Sequence, residues 1–342
     1  MLRAVLRSAV RRSLQEVRHV RPDPPGRARG VVADLYERVE RDFGVLAPPV
    51  AMLSPAPECA AATWTALRES LLVPGRTSRA DREAVATAVS RGNACPYCVE
   101  VHGSTLGSLG GGADAGAAAP YPGALVSAGP TERAELGAVA LTFEHINRLV
   151  NVFLPDSPLP AFAPKPLREP LRRATGAVIA TRPGPPPAPD TSLELLPDAA
   201  RRAPVPEDLL WASGDPRVLR VLTGVAAAVD AAGARTLTHA VRALLRNHLR
   251  GHGTAPDGVS RAWVEEPIGA LAPHERPLGR LVLLTARASF QVGDDTVAEC
   301  RRAGADDADL VRAVSWAAMT AARQTVAATF SPRTETNQGN QT

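Results

Sequence analysis

Apolar residues recur at steps of three and four along most of this chain, the period of one helix face. The pattern runs through Leu2, Val5, Leu6, Val10, Leu14 and Val17, returns over residues 31–42, and returns again over 59–72 with Ala60, Trp64, Leu67 and Leu71 on one face. Ser78 followed by Asp81 offers an N-cap with an acid at the third position, which predicts a helix from Arg79. Gly92-Asn93 supplies the left-handed residues that end it near Arg91. A second helix should open close to Cys95, with Pro96 tolerated in its first turn. Pro130–Phe153 reads as one long helix, and the second half predicts further helices over 208–222, 233–250, 273–292, 294–303 and 306–330. Between the halves, residues 155–206 hold 14 of the 32 prolines, so continuous core structure is not expected there beyond one helix over 166–181.

Composition sharpens this picture. Aromatic residues are only 4% of the chain, so the core must be built from Ala, Leu and Val, which favours close-packed helices over sheets. An all-α fold is expected. At 342 residues the length predicts about two domains. The expected division is an amphipathic N-terminal helix (1–25), a first helical domain (26–154), a Pro-rich linker (155–206), a second helical domain (207–330) and a disordered tail (331–342).

Charge excludes more than it assigns. The net charge is +4, but the arginines are spread along the chain and Lys165 is the one lysine, so no nucleic-acid partner is expected. No run of 18 apolar residues predicts a membrane span. The Arg-rich first 22 residues lack the apolar region and cleavage site of a secretory signal. They read as an amphipathic helix docked on the protein or a partner subunit, with a membrane-surface helix and a transit-like segment as alternatives. Four cysteines with one close pair point to a reducing, cytoplasmic location rather than a disulfide framework. Cys59 and Cys300 read as buried structural residues. His248 and His252 stand four apart but lack the glutamate of a zinc-protease motif.

The densest reactive cluster is Glu83, Cys95, Cys98 and His102. Unbroken helix would hold Glu83 roughly 18 Å from Cys95, so the break at Gly92-Asn93 is what could fold the acid onto the thiols. Cys95, Cys98 and His102 fall at i, i+3 and i+7, on one helix face. A helix N-terminus favours thiolate, the more N-terminal Cys95 above all, and His102 can accept or relay a proton. Glu144 and His145, on the long helix, read as surface or packing residues ahead of a role in the site.

A gapless shift of 192 residues places Glu83 on Glu275 and Gly112-Ala113-Asp114 on Gly304-Ala305-Asp306. The same shift puts Arg287, Phe290 and Asp294 where Cys95, Cys98 and His102 stand. The chain therefore reads as two tandem copies, the second with its chemistry removed.

Glu, eleven residues, Cys-x-x-Cys, three residues, His resembles the signature of the AhpD-like alkylhydroperoxidases in the carboxymuconolactone decarboxylase superfamily. Glu83, Cys95, Cys98 and His102 match it at every spacing, and Ile146-Asn147-Arg148-Leu149-Val150-Asn151 is similar to its peroxidase-related members. The resemblance implies two tandem AhpD-like all-α domains, the second degenerate, in a homo-oligomer. It further implies Cys98 as peroxidatic thiol, Cys95 as resolving thiol, and Glu83 with His102 as a proton relay. Well-studied members carry a histidine directly before the second cysteine, where this chain has Tyr97. Decarboxylase members generally lack the cysteine pair, which points away from lactone decarboxylation.

The leading functional expectation is a thiol peroxidase or dithiol-disulfide oxidoreductase acting on a hydroperoxide or disulfide. No Rossmann or flavin fingerprint occurs, so no bound cofactor is expected, and the resemblance implies an external dithiol reductant such as a lipoylated protein. Two alternatives are a zinc site with Glu83, Cys95, Cys98 and His102 as ligands, and a helical oligomerisation or binding protein with vestigial or regulatory thiols.

Overall fold

The computed structural model describes residues 10–110, 122–159, 165–181, 184–255 and 258–330. Among them the chain is all-α, without strands. Its main helices are α1 (Gly30–Phe43), α2 (Pro57–Leu67), α3 (Arg79–Gly92), α4 (Pro96–Ser108), α5 (Pro130–Phe153), α6 (Lys165–Ala180), α7 (Pro216–Thr236), α8 (His239–His252), α9 (Arg276–Ala288), α10 (Asp294–Arg302) and α11 (Asp307–Phe330). None of the described helices is long and apolar enough to cross a membrane.

The two halves share one core. Helix α5 packs along α11 and α2 along α7, so each half supplies two helices to the seam between them. Trp64, Phe143 and Phe153 from the first half and Trp316 from the second lie fully buried in one continuous apolar cluster. With so few aromatics, Ala and Gly set the helix spacing. A Cβ on Gly233 of α7 would meet the Trp316 ring at 2.4 Å, so that crossing requires the missing side chain.

Several expected boundaries move. The N-terminal helix ends earlier than expected: a 3-10 turn, Leu14–Glu16, follows its last described turn, and Val17 is already extended. Arg18 N–H donates to Phe153 O at 2.8 Å, while Arg301 of the second half donates to His19 O at 2.9 Å. The segment is thus tied to both halves; its first nine residues lie outside the described ones. Helix α2 ends in a π-helical turn, Arg68–Leu72. Breaks at Asp215 and Thr238, both of which cap the next helix with their side chains, divide the expected helices of the second half differently.

Residues 155–206 do more than connect. Helix α6 lies against α4, where a Cβ on Gly176 would come within 2.4 Å of Ser104 O. Val178, Ile179, Leu196 and Ala200 are buried. Farther on, Asp190 N–H and Ser192 Oγ donate to the buried Glu69 carboxylate at 3.0 and 2.6 Å. Prolines stop regular hydrogen bonding, but they do not prevent the residues between them from filling a core.

The 192-residue echo fails at the side chains it matched. Glu275 is half-buried just before α9 and accepts from Thr238 Oγ1. Arg287 is buried, with its guanidinium over the Trp263 ring, and Phe290 is 49% exposed. What recurs is the order of helices: the pair α3–α4 before the long α5 corresponds to α9–α10 before the long α11, at an offset that changes from pair to pair.

Candidate active site

The loop before α3 is held by Glu135 of α5, whose carboxylate accepts from the backbone N–H groups of Arg76 and Thr77, both at 2.8 Å. Ser78 and Asp81 then form a reciprocal capping box that starts α3. Glu83 follows in the second turn, fully buried.

Helix α3 ends in a Schellman motif: Cys95 N–H donates to Ser90 O at 3.0 Å and Ala94 N–H to Arg91 O at 3.1 Å. The left-handed residue is Ala94, φ 48°, and neither Gly92 nor Asn93 takes that role. Helix α5 stabilises the turn from outside. Asn151 donates to Asn93 O at 3.0 Å, and Asn93 donates to Glu144 Oε2 at 3.0 Å. Cys95 is consequently the N-cap of α4 rather than a member of its first turn.

The reversal brings the acid back to the imidazole. His102 Nδ1 lies 2.7 Å from Glu83 Oε2, while Arg79, one turn before Glu83, donates to Oε1 at 2.6 and 2.9 Å. Burial would raise the Glu83 carboxyl, but the Arg79 guanidinium and then His102 outweigh it and hold it below the ordinary glutamate range. Glu83 therefore stays an anion at neutral pH. The edge of Phe143 meets the His102 ring at 4.4 Å between centroids, fixing the ring from its other side.

Cys95 and Cys98 are free thiols, 1% and 2% exposed, and lie in hydrogen-bond contact with each other. Burial pushes the Cys98 thiol well above its usual value, and the neighbouring Cys95 adds to that; a hydrogen bond from Asn147 of α5 acts in the opposite direction. At Cys98, desolvation thus overrides the helix-end effect expected from sequence. Asn147 also donates to Ser90 Oγ at 3.1 Å, so its amide spans the end of α3 and the start of α4.

Cys98 and His102 line one cavity of about 540 Å³, whose walls are mainly apolar: Tyr97, Val101, Phe143, Ile146, Leu171 and Ile179 among them. That volume is in the range of roughly 300–1,000 Å³ typical of small-molecule sites. The N-terminal segment and α6 also line it. Cys95 does not line this cavity, a departure from the single face expected for the three residues.

A model of the carboxymuconolactone decarboxylase family matches residues 59–141. An alkyl hydroperoxide reductase of Mycobacterium tuberculosis is 34% identical over 331 residues, an alignment covering 90% of this chain and 93% of that protein. The chain belongs to the carboxymuconolactone decarboxylase family, in its AhpD-like branch. The family match contains Glu83, Cys95, Cys98 and His102, whereas the N-terminal segment, Asn147 and α6 lie beyond it. This member therefore builds its cavity partly from elements outside the matched core.

Residues that sequence reasoning passed over now have places. Arg79 was detectable, being one helical turn from Glu83 with opposite charge. Asn147 was detectable as an amide on an apolar helix face. The contributions of Leu171 and Ile179 left no local signal. Among the described residues no three His, Cys, Asp or Glu groups gather as metal ligands, and the Glu83 carboxylate is engaged by Arg79 and His102. His145 is fully buried 3.1 Å from Thr63 Oγ1, and burial together with Arg148 pushes it down to about 3, so it packs as a neutral ring. Cys59 and Cys300, both buried, are pushed up to about 12, chiefly by burial, and remain protonated.

Proposed function

We propose that this chain is a thiol-dependent peroxidase that reduces hydroperoxides through the Cys95–Cys98 pair. The observation that carries the reading is that Cys98 shares one apolar cavity with a histidine held by a buried carboxylate, while a second thiol touches it from outside that cavity.

In this reading the Glu83–His102 pair accepts the Cys98 proton, and the Asn147 amide stabilises the thiolate as it forms. The thiolate attacks the outer oxygen of ROOH, the O–O bond breaks, and the leaving alkoxide takes a proton from His102. Cys98 is then a sulfenic acid. The Cys95 sulfur attacks it, an S–S bond forms and water leaves. An external dithiol, for which a lipoylated protein is the favoured class, returns the two electrons. The name of the mycobacterial relative supports the peroxide-reducing activity.

The test is hydroperoxide consumption coupled to dihydrolipoamide oxidation. Turnover by the wild type that is lost in Cys98→Ser is expected; wild-type turnover no faster than Cys98→Ser would overturn the assignment.

A further inference from the structure

Helix α4 carries the dithiol between two separate openings. Tyr97, Cys98, Val101 and His102 line the apolar cavity, whereas Pro96, Val99, Glu100 and Gly103 line a surface groove of about 610 Å³ together with Cys95 and Arg91. At 3.6 residues per turn these two sets fall on roughly opposite faces of the helix. The cavity and the groove have no lining residue in common.

We propose that the two half-reactions use opposite faces of α4: the hydroperoxide reaches Cys98 through the cavity, and the reducing thiolate reaches Cys95 through the groove. The inference rests on the peroxidase reading above and adds the route by which each reactant arrives. Cys95 lines the groove but is only 1% exposed, so a cysteine on the broad surface of a folded partner cannot approach it. A dithiol on a slender arm, of the dihydrolipoyl type, can.

The chemistry balances along this route. One arm thiolate attacks the Cys95 sulfur of the disulfide, forming an arm–Cys95 bond as the Cys95–Cys98 bond breaks. Cys98 leaves as a thiolate beside Asn147, because of the two sulfurs only that of Cys95 is reached from the groove. The second arm thiol, losing its proton, then attacks the first arm sulfur. The arm becomes a cyclic disulfide and Cys95 is released as a thiolate, which takes up that proton. Charge at the rim favours an anionic arm or partner. Arg172 is paired with Glu100 at 2.9 Å, whereas Arg91 is exposed and no carboxylate among the described residues pairs with it.

Stopped-flow measurement of the two half-reactions tests this. Arg91→Trp, at an exposed helix end, should slow reduction of the diamide-formed disulfide by dihydrolipoamide at least tenfold and leave oxidation of the dithiol by cumene hydroperoxide within twofold. Thr175→Trp, in the cavity wall, should do the reverse. Equal slowing of both half-reactions by either variant, or no effect of Arg91→Trp on reduction, overturns the proposal. Arg91→Glu, which adds no bulk, should slow anionic dihydrolipoate at least threefold more than neutral dihydrolipoamide; equal slowing also counts against it. A wild type that makes no disulfide with any hydroperoxide defeats the peroxidase reading, while reduction of the diamide-formed disulfide still reports on the groove.

Discussion

His102 Nδ1 stands 2.7 Å from Glu83 Oε2 across nineteen residues of chain and a reversal of direction. Arg79 holds the other carboxylate oxygen, so the acid cannot turn away from the ring without breaking a partly buried ion pair. The imidazole is oriented by one helix and placed by the next.

Replacing Glu83 by Gln keeps the shape and removes the charge. Loss of the proton acceptor should lower the rate of Cys98 oxidation by about 10²-fold or more, the scale of general-base catalysis. Stability responds as well. Because the folded carboxyl titrates below its unfolded value, its contribution is present above the ordinary glutamate range and is lost as pH falls through the folded value. Urea unfolding should therefore separate wild type from Glu83→Gln clearly at pH 7 and less at pH 3.

The Cys98 thiol offers a second pH test. Its alkylation by iodoacetamide should keep rising above pH 9, because burial raises its pKa, and Asn147→Leu should shift that rise further upward. A folded pKa above the unfolded one means the native state holds the proton longer, so stability should fall as pH climbs past about 9.

Ala94 occupies a left-handed position that costs an L-residue roughly 1–2 kcal/mol. Part of that is returned by glycine, whose unfolded chain is freer. Ala94→Gly should stabilise by about 0.5 kcal/mol, and Ala94→Val should destabilise by about 1–2 kcal/mol, since β-branched residues tolerate positive φ least. Chemical denaturation of the two variants reads both signs.

Gly176 lets α6 approach Ser104 O of α4. A valine there must push the helices apart, at about 1–3 kcal/mol for an overpacked contact. Because α6 also walls the cavity, Gly176→Val should raise KM for cumene hydroperoxide more than for hydrogen peroxide, which steady-state assays of the two substrates would show.

Local signals identified the helices well where a cap and a period agreed. The Ser78–Asp81 pair started α3 at the expected residue, and the long α5 kept its expected ends. They failed where tertiary contacts decided. Intrinsic preference puts the end of α3 on Gly92-Asn93, yet Ala94 takes the left-handed position, with Asn151 and Glu144 of α5 bonded to Asn93 in the turn. Residues 155–206 looked like a linker because proline interrupts periodicity, while Val178, Ile179 and Leu196 still bury their side chains.

By itself the sequence determined the all-α class and the four reactive residues with the spacing that identifies their family, because caps, helical period and motif spacing are local properties. Only the tertiary structure decided that Glu83 meets His102, that Asn147 reaches Cys98, and that the two thiols look into different openings. Those relations depend on how helices far apart in sequence pack, and desolvation at a packed site outweighs the helix-end preference that governs a thiol in isolation.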